Sequence, residues 1–257
     1  MTRTLGLAGI EVEIEERGAG RPILFLDAGE GVAPNHDLLD VLARRFRVIV
    51  PTHPGWGRAP LPEWISATDD LAYLYLDLAE ALGMERAILA GVGFGGWIAA
   101  EMAVRDASRF AALVLAAPLG IKLGGVLDRD ILDMHAVTQD RLAELAWADP
   151  RRGEIDFTQR SDEELVAIAR GREALLVFGW KPYMHNPRLK HWLHRIKLPT
   201  LLLWGAQDQI VTPAYGEGWR AAIAGARLDV IDDAGHFPHW EQPARFCERL
   251  AAFADSH

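Results

Sequence analysis

RAILAGVGFGGWIAAEMA, residues 86–103, is the stretch that decides the fold. Ala87–Ala90 is an apolar run of strand length, and a glycine-rich turn follows it. From Gly95 to Ala103 the residues are small and apolar, with the length and composition of a helix. Strand, sharp turn and helix in this order form the setting in which a Gly-x-Ser-x-Gly pentapeptide holds a serine oxygen above a sheet. Here the pentapeptide is Gly91-Val92-Gly93-Phe94-Gly95, and its middle position, Gly93, carries no side chain.

The same turn also fits G-x-G-x-x-G, the glycine fingerprint that cradles a dinucleotide pyrophosphate. Two features count against that reading. The next apolar run, Leu113–Ala116, ends in Ala117-Pro118, with no carboxylate to take a ribose. The turn also follows the third run of the sheet core, where that motif belongs to the first.

Outward from the turn, short apolar runs without alternation recur at Ile23–Leu26, Val48–Val50, Leu113–Ala116, Leu201–Trp204 and Leu228–Ile231. Such runs predict strands covered on both faces, as in a parallel sheet. Ahead of them, Leu5–Leu7 and Ile10–Glu16 flank Ala8-Gly9. The second of these alternates Ile10, Val12 and Ile14 with acidic residues, as a half-exposed strand does. Helical patterns separate the runs at Asp37–Arg44, Asp69–Leu82, Gly95–Arg105, Pro213–Ile223 and Pro243–Phe253. The alternation predicts an α/β doubly wound, mostly parallel sheet, with ligands at the C-terminal strand ends.

From about Leu119 to Arg195 the alternation stops, and helical patterns fill Asp128–Ala136, Gln139–Trp147, Asp162–Val177 and Arg188–Ile196. Ser161 followed by Glu164 reads as a capping box that starts the third of these. The expected organisation is a core domain of residues 1–118 and 196–257, with a helical lid of 119–195 inserted in it. The plainer alternative is a helical extension that only enlarges the core.

Composition narrows the function classes. The chain has 257 residues and a net charge of −9 without a Lys/Arg run, so nucleic acid and anionic membrane are poor partners. The lone cysteine, Cys247, allows no internal disulfide and reads as a small core residue. The opening MTRTLGLAGIEVEIEE has no long apolar segment, and no stretch is long and apolar enough to span a membrane, so a cytoplasmic protein is expected. His191 and His194 share i, i+3 spacing near His185, but no Cys or carboxylate joins them in that stretch, and surface histidines are the better reading. Neither a metal nor another cofactor is expected.

Two residues stand where proton chemistry needs them. Asp208 follows the run ending at Trp204, and His236 follows the run ending at Ile231. The order is turn, then Asp, then His. A carboxylate that fixes the tautomer of an imidazole turns the ring into a general base.

With these residues in view, the chain resembles the α/β-hydrolase superfamily, closest to its small lidded esterase- and C–C-hydrolase-like members. The resemblance rests on LFLDAGEG (24–31), VPTHPGWGR (50–58), Gly91–Gly96, LPTLLLWGAQDQIVTP (198–213) and AGHFPHWEQP (234–243), and spans nearly the whole chain. It implies catalytic roles for Asp208 and His236, and an oxyanion hole of backbone N–H groups from Phe94 and from Ala28 or Gly29. Two departures stand out. Gly93 occupies the nucleophile position, and Asp27-Ala28 stands where such proteins usually have His-Gly. Asp27 would set a carboxylate near developing negative charge, or else it serves its own loop.

His53 and Trp56 lie past another strand end and are candidates for the pocket wall together with Asp27, as are Phe178, Trp180 and Tyr183 of the lid. Each has a packing role as its alternative. Other hydroxyls, Ser66, Ser108 and Ser161, lack the position of the turn. The expected function is an enzyme without a serine nucleophile, using His236 and Asp208 to activate water or move a proton. Its substrate is a small apolar carbonyl, ester or enol, in a hydrolase-, lyase- or cyclase-type reaction. The alternative is a non-catalytic binder of a small apolar ligand.

Overall fold

The computed structural model describes residues 1–29, 36–125 and 127–257. Eight strands form one sheet: β1 (Thr2–Leu7), β2 (Ile10–Arg17), β3 (Arg21–Leu26), β4 (Phe46–Pro51), β5 (Ala87–Val92), β6 (Phe110–Ala116), β7 (Thr200–Gly205) and β8 (Arg227–Ile231). Their spatial order is β1-β2-β4-β3-β5-β6-β7-β8. The first two strands join antiparallel, and β3 to β8 run parallel. This is the α/β-hydrolase fold that the sequence predicts.

Alternate side chains of the parallel strands enter two cores. Leu24, Leu26, Leu89, Leu113, Leu115, Leu202 and Trp204 face α2 (Thr68–Ala81), α3 (Gly93–Arg105) and α7 (Pro213–Ala222). Ile23, Phe25, Ile88, Ala90, Val114, Leu201 and Leu203 face α1 (His36–Leu42) and α9 (Pro243–Asp255). Burial on both faces is why these strands read as continuous apolar runs; β8, expected to be covered likewise, is the edge strand of the sheet and leaves Val230 44% exposed. Two glycines of the turn are set by close packing. A Cβ on Gly91 would collide with the Gly95 carbonyl, and one on Gly95 with the carbonyls of Leu26 and Asp27. Close approach of α3 to β3 and β5 therefore accounts for these two glycines without any nucleotide.

Between β6 and β7 lie α4 (Gln139–Ala146), α5 (Asp162–Gly179) and α6 (Leu189–Trp192), with 3₁₀ turns at Pro150–Gly153, Phe157–Gln159 and Leu193–Arg195. The Ser161 hydroxyl accepts from Glu164 N–H at 3.3 Å while the Glu164 carboxylate accepts from Ser161 N–H at 2.9 Å, the reciprocal cap read from the sequence. The helix expected over Asp128–Ala136 is absent. Its aspartates bond loop amides instead: Asp130 accepts from Leu123 N–H at 2.9 Å and Gly124 N–H at 3.1 Å, and Asp128 from Gly125 N–H at 2.6 Å. Side-chain carboxylates that cap nearby backbone compete with helix formation.

Candidate active site

Strands β7 and β8 are neighbours in parallel register, with Gly205 opposite Ile231, so the loops that leave them emerge side by side. Asp208 sits in the first loop and His236 in the second, and both are buried. Asp208 Oδ1 accepts from the Ile210 and Val211 amides at 2.8 and 3.1 Å, which fixes the carboxylate. Its Oδ2 accepts from His236 Nδ1 at 2.9 Å. That bond selects the tautomer with the proton on Nδ1 and the lone pair on Nε2.

Nε2 is the ring atom on the side of the glycine turn. Gly93 opens α3 with φ +51°, a left-handed conformation. A Cβ built on it lies 3.4 Å from His236 Nε2, 3.5 Å from the Ala28 Cβ and 3.8 Å from the Ala28 Cα. These are ordinary contact distances, so the position has room for a side chain that it does not have.

The opposite wall of the site departs from a set of open N–H donors. Asp27 Oδ1 accepts from the N–H of Ala28 at 2.5 Å, so one of the three candidate donors already serves a carboxylate. The Gly29 carbonyl accepts from the Trp56 indole, whose ring stacks on Phe94 and Phe178. Trp56 is thus a packing element between the turn and α5. His53 is buried as well. Its Nε2 donates to the Asp27 carbonyl at 3.1 Å and its Nδ1 accepts from the Tyr75 hydroxyl. Burial lowers its pKa from 6.5 to about 4, so it is a neutral strut under the Asp27 loop.

A cavity of about 450 Å³ adjoins this centre, walled by Gly29, Leu142, Ala146, Trp147, Ile210 and Phe237 among others. Its wall includes neighbours of Asp208 and His236 but neither residue itself. None of the six side chains expected in the pocket wall borders this cavity. Asp27, His53 and Trp56 border a separate hollow of about 300 Å³ beside β2. Trp180 is 58% exposed and borders a third hollow on the other side of α5. Tyr183 spends its hydroxyl on the backbone, accepting from Met134 N–H at 2.8 Å and donating to the Leu132 carbonyl at 3.2 Å. For the rings the reason is that an aromatic side chain reads alike whether it lines a pocket or braces its neighbours, and for Asp27 that a loop carboxylate reads alike whether it faces a ligand or its own backbone.

Ser66, Ser108 and Ser161 are all exposed, away from the buried Asp208–His236 pair. His185 and His194 bond backbone carbonyls, and among the described residues no cluster of three His, Cys, Asp or Glu could hold a metal. Burial pushes the Cys247 thiol up to about 12, which suits a core residue. No helix among the described residues is long and apolar enough to cross a membrane.

The sequence reading missed two buried groups beside His236. The Glu241 carboxylate accepts from the amides of Gly235, Ala148 and Asp149. His239 is wholly enclosed, with neither ring nitrogen hydrogen-bonded. Both belong to the stretch GHFPHWEQ (235–242), whose polar residues amid aromatics were the available signal.

Comparison with known proteins adds the lineage. The chain is 27% identical over 275 residues to 2-hydroxymuconate semialdehyde hydrolase of Pseudomonas sp. strain CF600, covering 98% of this chain and 93% of that protein. It is 26% identical to 2-hydroxy-6-oxononadienedioate/2-hydroxy-6-oxononatrienedioate hydrolase of Paraburkholderia phymatum, covering 95% and 91%. The fold superposes on a meta-cleavage product hydrolase from Pseudomonas fluorescens IP01 with a TM-score of 0.82 at 22% identity, covering 99% of this chain and 97% of the other. The pattern of the alpha/beta hydrolase family matches residues 24–249, and the chain belongs to that family.

Proposed function

We propose that this chain is a hydrolase-fold enzyme that works without a covalent intermediate, with His236 as general base and Asp208 as the group that orients it. The observation that carries this is the 3.4 Å between His236 Nε2 and the Cβ position of Gly93. Gly93 stands at the nucleophile position, so no hydroxyl there takes the acyl group. A water molecule or a substrate O–H or C–H in that space comes within reach of the base. In the hydrolytic form, water gives a proton to Nε2 as its oxygen bonds to a carbonyl carbon. The imidazolium, stabilised by Asp208, then returns the proton to the leaving group. In the lyase, isomerase or cyclase form, Nε2 takes a substrate proton and delivers it to another atom of the same molecule.

Residues 119–195 act as a lid in this reading, over a small, largely apolar substrate with a carbonyl, ester or enol group. The relatives named above act, by their names, on semialdehyde and oxo-diene acids. Those names support a carbonyl or enol substrate. Phe94 and Gly29 remain the backbone donors for charge that develops on oxygen.

A second reading has its own observation. His236 and Asp208 are only 1% and 2% exposed and do not line the cavity, which suits a protein that binds a small apolar ligand without transforming it. Mass spectrometry of natively purified protein identifies a co-purified ligand, and that ligand with a panel of enol and ester compounds is then assayed. Turnover by the wild type that disappears in His236→Ala supports the enzyme. Ligand binding equal in both proteins, with no product from either, supports the binder.

A further inference from the structure

Glu241 is a buried carboxylate for which the chemistry above has no use, and its hydrogen bonds end beside the working pair. Its Oε2 accepts from the N–H of Gly235 at 2.5 Å, the residue before His236. Its Oε1 accepts from Ala148 N–H at 2.8 Å and, at longer range, from Asp149 N–H at 3.4 Å. These two amides belong to the segment that leaves the C-terminal end of α4. The last carbonyls of α4 complete the same belt. Ala146 accepts from His236 N–H at 2.6 Å, and Leu145 accepts from Gln209 N–H at 3.1 Å, next to Asp208. Contact is close enough that a Cβ on Gly235 would collide with the Ala146 carbonyl.

The loop that carries His236 lies outside the sheet ladder, so its amides need partners from elsewhere. Gln207 supplies one, accepting from Ala234 N–H at 3.1 Å. The His236 amide finds Ala146 at the end of α4, and the Gly235 amide finds Glu241, which in turn holds the amides that follow α4. A carboxylate has acceptor sites enough to serve both sides at once.

We propose that Glu241 is a positioning residue for His236, fastening the end of α4 to the histidine loop so that the ring meets Asp208 in one orientation. The proposal rests on Asp208–His236 being the working pair. It also makes the α4 end of the insertion part of the site's frame, so that displacing this end loosens the base.

Two-bond nitrogen–proton NMR of labelled histidine rings tests this without any substrate. The wild type shows His236 as a single tautomer protonated on Nδ1. In Glu241→Ala the ring populates both tautomers, and the Gly235 and Ala148 amides exchange with solvent about tenfold faster, as loss of a buried hydrogen bond dictates. The His53 ring, held by Tyr75 and Asp27, stays unchanged as an internal reference. Glu241→Gln keeps the volume but turns its NH₂ toward a donor on one side; it gives the same ring signature and serves as the readout if the alanine variant does not fold. A lower melting temperature with His236 still a single tautomer overturns the proposal and leaves Glu241 a structural residue. Asp208→Asn separates the two claims. If it mixes the tautomers and the Glu241 variants do not, this inference alone fails. If it leaves the ring unchanged, the working pair itself fails.

Discussion

The two sides of the site are furnished unequally. On the Asp208–His236 side both oxygens of the carboxylate are engaged: one is fixed by two amides, the other by the imidazole. On the Asp27–Gly93 side the side chain at the turn is missing, and the neighbouring Ala28 N–H serves a carboxylate. The backbone beneath both sides is intact, down to the left-handed φ at Gly93. Under the function proposed here, the contrast separates geometry for proton transfer from geometry for acyl transfer. The first needs two side chains on neighbouring strand ends. The second also needs an oxygen and open donors on the far side.

The sharpest way to break the comparison is Gly93→Ser. A fluorophosphonate that labels activated serines leaves the wild type unmarked and labels the variant near stoichiometrically, read by intact-protein mass spectrometry. No label on the folded variant would mean that Nε2 does not face the turn. Next in size, Asp208→Asn placed on Gly93→Ser slows labelling by about 10⁴-fold, the scale of losing tautomer control in a triad.

Packing across the boundary is tested by Trp56→Ala. It removes the ring stacked between Phe94 and Phe178, and urea titration should show a loss of about 3–5 kcal/mol. The far side is sharpened by Asp27→Ala on Gly93→Ser. Freeing the Ala28 N–H speeds labelling by about 10²-fold if that amide is an oxyanion donor. An unchanged rate would assign the donors to Phe94 and Gly29 alone.

The smallest effect concerns His239. Burial and the nearby His236 lower its pKa from 6.5 to about 3, so the folded state binds its proton less readily than the unfolded chain. The contribution to stability is therefore full above pH 6.5 and is lost progressively as pH falls toward 3. His239→Leu removes this term together with two unpartnered nitrogens. It should gain about 2 kcal/mol on wild type at pH 5, relative to any difference at pH 7, by urea titration at the two pH values.

Much of this was legible in the residues alone. Strands buried on both faces announce themselves as unbroken apolar runs, and Ser161 with Glu164 announces a helix start. The positions of Asp208 and His236 follow from counting past strand ends. What could not be read depends on contacts distant in sequence. Whether Trp56 lines a pocket or braces α5 is decided by Phe178, more than a hundred residues away. Asp27 turns an oxygen to its own backbone, at the Ala28 N–H, which residue type and position do not reveal. Asp128–Ala136 has helical spacing, yet its carboxylates find loop amides first. Glu241 stands out only as a polar residue amid aromatics, and its role cannot be read because its partners are backbone groups that every residue owns.

The three alternating glycines of the turn look interchangeable on paper, yet the molecule treats them differently. At positions 91 and 95 any larger residue strikes a carbonyl, whereas position 93 has space in front of it. A saturation library across the turn would therefore return silence at the flanks and a spectrum in the middle. That spectrum is filtered by the left-handed φ of +51° at position 93 and not by a clash at the first side-chain atom.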